Sequence, residues 1–504
     1  MTEPLCSSVM ISERRNKMDN KEVQEINEAP KMPFGWALFC IAFLLISMIL
    51  SLVWLDIPVH INLIIAIAVT LLVSWLNNGH NWSLLSDAID YGGKICIQPT
   101  IIMMLIGVLI ASWIASGTVP MIIYWGLKLI SPSVFLLTAC LISAIIAIAI
   151  GSSWSTAGTV GVALMGVGLG LGINPAMTAG AVISGAYLGD KMSPMSDTTN
   201  LAPAVAEADL FDHIRSMMVT TGPAFVISLI IYGLLGLKYS ADSVDSAMVA
   251  ATMDAIQSHF TMNILLLLPA VVVIVLAILK APSIPTLLLS ALTAVILAMI
   301  FQGQSLSSIL NILDGGFSIE SGLAEFDRLM NRGGLQSMLW TAALGILGML
   351  YGAIMEKTGL LTAFMEKLKP LVKSTGGLIT TVIVSCTILL AATASQTLAI
   401  VVGGRMYITE FKKKDLLPQT LSRTLEDSGT IISPLVPWSL CGAYMAGTLG
   451  VSTVSYLPFA FFCWLCPIIA IIYGFTGKFM WKTGDIASKK VYSSEPAPET
   501  VPAE

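Results

Sequence analysis

Apolar runs of roughly twenty residues, the length that carries a helix across a bilayer, recur along this chain with few charges inside them. Five lie in the first half, at about 34–55, 59–76, 98–116, 175–206 and 217–237, and five in the second, at about 262–280, 284–302, 335–355, 416–450 and 456–476. Between the third and fourth run of each half is an apolar pair, 133–172 and 376–403, cut at its middle by small polar residues. Each pair reads as a re-entrant helical hairpin. The amphipathic segments 119–131 and 360–374 read as interfacial connectors rather than spans. The pattern predicts an all-α polytopic membrane protein.

The two halves resemble each other. A shift of 242 residues sets Leu105 on Leu347, Gly117 on Gly359, Ser143 on Ser385, Ala149 on Ala391, Ser153 on Ser395 and Gly161 on Gly403, and the same ungapped shift superposes the polar tips of both hairpins. Five spans per half is an odd number, so the second half must run through the membrane upside down relative to the first. The expected fold is two inverted repeats, each of about five spans plus one re-entrant hairpin with a broken following helix, as in secondary transporters. The expected segments are a cytoplasmic amino tail (1–33), a first repeat (34–237), an external linker (238–261), a second repeat (262–476) and a cytoplasmic carboxyl tail (477–504).

Composition agrees with that reading. Of 504 residues, 56% are hydrophobic and 11% charged, and a mean hydropathy of +0.84 excludes a soluble enzyme with one apolar core. No basic stripe supports nucleic-acid binding, and no nucleotide motif supports a primary pump. The glycines 166, 168, 170 and 172 lack the preceding strand and following lysine of a phosphate loop and suit close helix packing. No nucleophile and base arrangement points to an enzyme. The first apolar run is too long for a signal h-region and reads as an uncleaved span. Twenty of the 26 Lys and Arg residues fall on one side of the ten-span arrangement, counting the two tails, 77–97, 207–216, 281–283 with Lys280, 356–375 and 404–415. Positive-inside orientation then places both termini in the cytoplasm.

Seven of the eight cysteines lie in or against apolar runs and read as small hydrophobes; His60, His80, His213 and His259 read as solvated or capping groups near span ends. The chemistry concentrates elsewhere. The first hairpin tip carries Ser153, Ser155 and Thr156, and the next run is cut by Asp190, Lys191, Ser193-Pro194, Asp197, Thr198 and Asn200. The second tip carries Ser395, Gln396 and Thr397, followed by Glu426, Asp427 and Ser433-Pro434. Proline removes a helical donor and frees carbonyls that need partners at membrane depth. Hydroxyls, amide oxygens, freed carbonyls and carboxylates are the hard donors that small cations prefer. A charged side chain at bilayer depth costs about 2.5–3.5 kcal/mol on insertion scales, so these acids need a purpose or a partner. Asp190 beside Lys191, and Glu426 with Asp427 near Arg423, fit internal ion pairs as well as ion sites; Asp197 has no basic neighbour in sequence. Burial favours a neutral carboxyl and a bound cation an ionised one, so a carboxylate here can hold either a proton or Na+. The sequence marks Asp190, Asp197, Thr198 and Asn200 as candidate Na+ ligands.

The stretches 151–159, 189–194 and 196–203, with 404–407, 421–430 and 433–438 in the second half, resemble the NhaC family of Na+/H+ antiporters. The likeness covers most of residues 34–476. It implies a bacterial inner-membrane secondary carrier with a scaffold and a moving transport domain, often a homodimer, needing no cofactor beyond the transported Na+ and H+. Related sequences also look like carriers of a small organic acid, of the malate and lactate type, or of an amino acid, so the organic solute stays open. One departure stands at the second tip. Thr393-Ala394-Ser395-Gln396 occupies a place where the family pattern leads one to expect an acidic residue.

Overall fold

A computed structural model describes residues 30–51, 54, 57–239, 246–279, 281–368 and 374–483. Most of the amino tail, part of the linker and the last 21 residues of the carboxyl tail lie outside the described residues, as does Cys6. The described residues form helices and no strand; Leu416 and Lys482 make an isolated antiparallel bridge. Among the described residues, seven helices are long and apolar enough to cross a membrane, or up to nine when each of two sharply bent pairs is taken as one span. This is a polytopic all-α membrane protein.

In chain order the helices are α1 (Phe34–Leu50), α2 (Val59–Asn77), α3 (Trp82–Ser116), α4 (Thr118–Leu129), α5 (Pro132–Ile150), α6 (Ser153–Thr156), α7 (Val162–Gly170), α8 (Pro175–Met192), α9 (Asp197–Ala206) and α10 (Leu210–Gly236). Then come α11 (Ser246–His259), α12 (Leu268–Ile278), α13 (Ser283–Phe301), α14 (Leu306–Gly315), α15 (Ala324–Met330), α16 (Leu335–Lys357) and α17 (Leu360–Glu366). The chain ends through α18 (Thr375–Thr393), α19 (Gln396–Lys413), α20 (Pro418–Leu425), α21 (Leu440–Leu449), α22 (Thr453–Tyr456) and α23 (Phe461–Thr476). The helices α5 and α18, expected as hairpin arms, are each 19 residues long and suffice for a span by length. The runs 175–206 and 416–450 are not continuous helices, because Pro194 and Pro434 interrupt them.

The chain divides into two compact units. The smaller contains residues 1–96 and 347–370. In it Tyr351 donates to the Cys40 carbonyl at 3.0 Å, Asn62 Nδ2 to Ser47 Oγ at 3.2 Å, and Phe34 stacks on Phe364.

The larger unit, 97–346 and 371–504, holds all the candidate site residues. Its most extensive helix packing is α5 against α8, and small residues let the two approach closely. A Cβ at Gly185 would lie 2.2 Å from the Cys140 carbonyl oxygen, and one at Gly189 2.2 Å from Ala147 Cβ. Without a hydrophobic drive between helices in lipid, such close backbone contact supplies the cohesion. Two buried polar groups tie this unit together across long sequence distances: Trp113 Nε1 donates to Ser290 Oγ at 3.0 Å, and Tyr232 bonds Ser184 and the Phe459 carbonyl.

The element order repeats. A left-handed glycine, 117 or 359, opens α4 and α17; α5 and α18 each end in a left-handed residue, Gly151 (φ 74°) and Ala394 (φ 54°); then Ser152 and Ser395 cap the next helix by accepting from Ser155 and Leu398 amides. Proline then opens both α8 and α20. From α5 onward these matches fall at 243 residues rather than 242. The helices α4 and α17 differ in length, and an ungapped shift cannot absorb the one extra residue in the connector after the paired glycines. Structurally Ser395 therefore corresponds to Ser152, and Ser153 to Gln396.

Candidate functional site

The helix α8 begins with Asn174, whose side chain accepts from the Ala176 amide at 2.8 Å, and with Pro175 at its first position, where a missing amide hydrogen costs nothing. It ends because residue 194 is proline. The Asp190 carbonyl would ordinarily accept from residue 194, which has no N–H. Thr199 Oγ1 takes that place, at 2.8 Å from the Asp190 carbonyl and 3.0 Å from that of Lys191. Ser193 is extended, as a residue before proline prefers, and its Oγ accepts from the Met195 amide at 3.3 Å.

In the last turn of α8 the buried Asp190 side chain meets two hydroxyls. Ser153, from the tip after α5, donates to Oδ2 at 2.5 Å, and Ser196, from the break, donates to Oδ1 at 2.6 Å. Thr198 Oγ1 lies 3.2 Å from Ser196 Oγ. A carboxylate and three hydroxyls thus converge on one place.

The second half contributes through a π-helical turn, Glu426–Thr430, that follows α20 and leads to Ser433-Pro434. Both acids are fully buried. Asp427 Oδ1 forms an ion pair with Lys191 Nζ, 236 residues away in sequence, and accepts from Thr220 Oγ1 of α10 at 3.1 Å. Lys191 therefore turns to Asp427 in the other half rather than to its neighbour Asp190. Neither Glu426 oxygen has a hydrogen-bond partner. Ser433 donates to the Thr430 carbonyl at 2.6 Å, with Gln396 Oε1 at 3.1 Å and the Tyr187 hydroxyl at 3.4 Å. Cys441 Sγ lies 3.4 Å from the same Gln396 oxygen.

Other candidates fall differently. Asp197 heads α9 with its side chain exposed, and Thr397 is exposed as well. Asn200, also exposed, donates Nδ2 to the Pro194 and Ser196 carbonyls at 2.9 and 2.7 Å and so braces the break. Thr156 Oγ1 donates to the Ser152 carbonyl, and Ser155 gives its carbonyl to Thr159. Ser395 acts through its cap. Trp154 stacks on Tyr444 with ring centroids 4.1 Å apart, and Trp438 donates to the Ala391 carbonyl at 2.7 Å; both are packing groups beside the breaks. Sequence reasoning left Ser196, Tyr187, Thr220 and Cys441 out of the candidate set. Ser196 had a signal, since it stands in the polar cluster after Pro194; Thr220, in an apolar run far from Asp427, had none. His213 departs from its expected solvated role: it is fully buried, with Nδ1 2.7 Å from Ser422 Oγ.

Residues 185–478 match the model of the Na+/H+ antiporter family. The chain belongs to this family. Similar proteins include the Na+/H+ antiporter NhaC of Alkalihalophilus pseudofirmus, 38% identical over 91% of this chain and 99% of that protein. The malate-2H+/Na+-lactate antiporter of Bacillus subtilis is 35% identical over 90% of this chain and 97% of its own length. The arginine/ornithine antiporter ArcD of Halobacterium salinarum is 36% identical over 92% and 96%. All three are transporters by name, and this member of the family is an antiporter-type membrane transporter. The matched segment runs from the second half of α8 through α23, so it contains Asp190, Lys191, Glu426 and Asp427 but not Ser153.

Proposed function

We propose that this protein exchanges Na+ for H+ across the bacterial cytoplasmic membrane by alternating access. The observation that carries the reading is the surroundings of Asp190, whose two oxygens meet Ser153 and Ser196 hydroxyls contributed by a hairpin tip and a helix break. Oxygen donors of this kind suit a small hard cation, and their origin on separate elements lets relative motion assemble and dismantle the set. In this reading Na+ rests against Asp190 with Ser153, Ser196 and Thr198. Asp197 and Asn200 stand at the mouth of the break.

Charge supports a cation as cargo. Three carboxylates, Asp190, Glu426 and Asp427, are buried in this unit with Lys191, whose ammonium is already engaged by Asp427. A carboxylate substrate is ordinarily met by an available arginine or by helix amino termini. The repeated element order supports two inverted halves, and the basic-residue distribution supports cytoplasmic termini; both belong to the proposal, as does a homodimer.

A second reading draws on the malate/lactate and arginine/ornithine relatives: the same ion site drives an organic acid or amino acid. The Tyr187, Gln396, Ser433 and Cys441 cluster would then face the solute. Purified protein in liposomes separates the two. The proposal expects Na+ alone to drive proton movement; Na+ that moves protons only together with a carboxylate or amino acid would establish the second reading instead.

A further inference from the structure

Three carboxylates share this core, and their surroundings differ in kind. Asp190 has both oxygens in hydrogen bonds to hydroxyls. Asp427 is held by Lys191 and Thr220. Glu426 has no exposed surface and neither oxygen completes a hydrogen bond, although the Thr430 hydroxyl of its own turn lies beside it. An ionised carboxylate without a donor is the most costly state of a buried polar group, yet Glu426 sits in a π-helical turn, a local widening that recurs at functional positions.

The groups that face Glu426 are few. Its electrostatic neighbours are Lys191 and Asp190 from α8 and Asp427 from its own turn, and the Thr430 hydroxyl of the same turn lies beside it without reaching full hydrogen-bond geometry. From α23 the Cys466 thiol lies near Lys191 and Asp427, α18 sets the Cys386 thiol beside Ser428, and α19 brings the apolar Ile400 against Gly429.

We propose that the two exchanged ions use different groups: Na+ is held at Asp190, and Glu426 carries the proton, while the Lys191–Asp427 pair stays intact as a fixed neutral element between them. This rests on the Na+/H+ reading above and deepens it. With Glu426 protonated and no Na+ bound, Asp190, Asp427 and Lys191 sum to one negative charge. When Na+ reaches Asp190, the O–H bond of Glu426 breaks, its electron pair stays on the carboxylate and the proton leaves; the core again sums to one negative charge. Each ion therefore admits the other's departure without a change of buried charge, which is the condition for exchange rather than co-transport.

The test uses full-length protein in proteoliposomes with two readouts, proton release driven by Na+ and exchange of radioactive Na+ for unlabelled Na+ at equal pH on both sides. Glu426→Gln is expected to lower Na+-driven proton release by about 100-fold or more, the scale of losing a positioned proton-transfer group, while Na+/Na+ exchange persists. Asp190→Asn is expected to abolish both. Glu426→Asp, which restores a carboxyl one methylene shorter, is expected to recover proton release with a displaced pH profile. If Glu426→Gln keeps proton release, or loses Na+/Na+ exchange together with it while remaining folded, the division of roles is wrong. If Glu426→Gln does not fold, Glu426→Asp decides: a pH profile identical to that of the unaltered protein overturns the proposal. Absence of any Na+-driven proton release by the unaltered protein removes the Na+/H+ reading itself, and this inference with it.

Discussion

The Lys191–Asp427 pair gives a quantitative prediction about stability. Neither side chain has exposed surface, and Asp427 has only Thr220 as a further hydrogen-bond partner. Lys191→Met keeps most of the side-chain volume but strands a carboxylate in the core. Removing one member of a buried ion pair typically costs about 3–5 kcal/mol, because the remaining charge is left uncompensated. That lowers the folding equilibrium constant by roughly two to nearly four orders of magnitude. A matched control exists at Lys412–Glu207, where the side chains are 60% and 62% exposed; Lys412→Met should cost about 0.2–1 kcal/mol. Adding Asp427→Asn to Lys191→Met removes the stranded charge and leaves an amide for Thr220, so it should recover most of the loss. Unfolding of purified protein in mixed micelles against increasing SDS, followed by tryptophan fluorescence, measures the three variants against the unaltered protein. Equal costs for Lys191→Met and Lys412→Met, or a double variant no more stable than the single one, would refute the reasoning.

Three further outcomes are expected. Gly189→Ala should destabilise by about 1–3 kcal/mol, the cost of overpacking, because its Cβ would press on Ala147 backbone and side chain, whereas Gly222→Ala, with nothing within 4 Å, should not; thermal unfolding in detergent compares them. In the segment before α16, Ser321 donates its amide and its hydroxyl to Asp327 Oδ1 at 2.9 and 2.6 Å, which hold the carboxyl below its ordinary value. A carboxyl depressed on folding stabilises above its unfolded pKa and loses that contribution as pH falls through the folded one, so Asp327→Asn should cost stability at pH 7 and nothing well below about pH 4, read as the pH dependence of the melting difference. In a Cys-free background, Glu320→Cys should react with an impermeant thiol reagent applied outside cells and Lys413→Cys should not; outside labelling at 413 would overturn the proposed orientation.

Much of the architecture was written in the chain. Span length and hydropathy fixed the class, and the prolines at 194 and 434 marked the helix breaks. The repeat was visible but one residue out of register after the glycine pair, since an ungapped shift is blind to a single insertion in a connector. The site was legible in part. Asp190 and Ser153 could be named, but their contact depends on the α5–α8 crossing, which glycine makes close and no local pattern specifies. The partner of Lys191 was hidden for the same reason: its neighbour Asp190 looked available in sequence, and packing chose Asp427 in the other half. Asp197, favoured for lacking a basic neighbour, faces outward because it heads α9 just beyond the break. The π-helical turn at Glu426–Thr430 left no signature in composition, since its residues would fit an ordinary helix.

The central claim is that a buried, hydroxyl-lined carboxylate makes this protein a cation exchanger. The most direct measurement encloses a pH-sensitive dye with purified protein in potassium-filled liposomes, clamps the membrane potential, and adds NaCl alone outside. The account predicts that the interior becomes alkaline as Na+ enters and H+ leaves, that choline chloride has no effect, and that Asp190→Asn abolishes the signal in protein that still folds. A flat trace with Na+ alone, followed by a response once malate, lactate, arginine or ornithine is supplied, would contradict it.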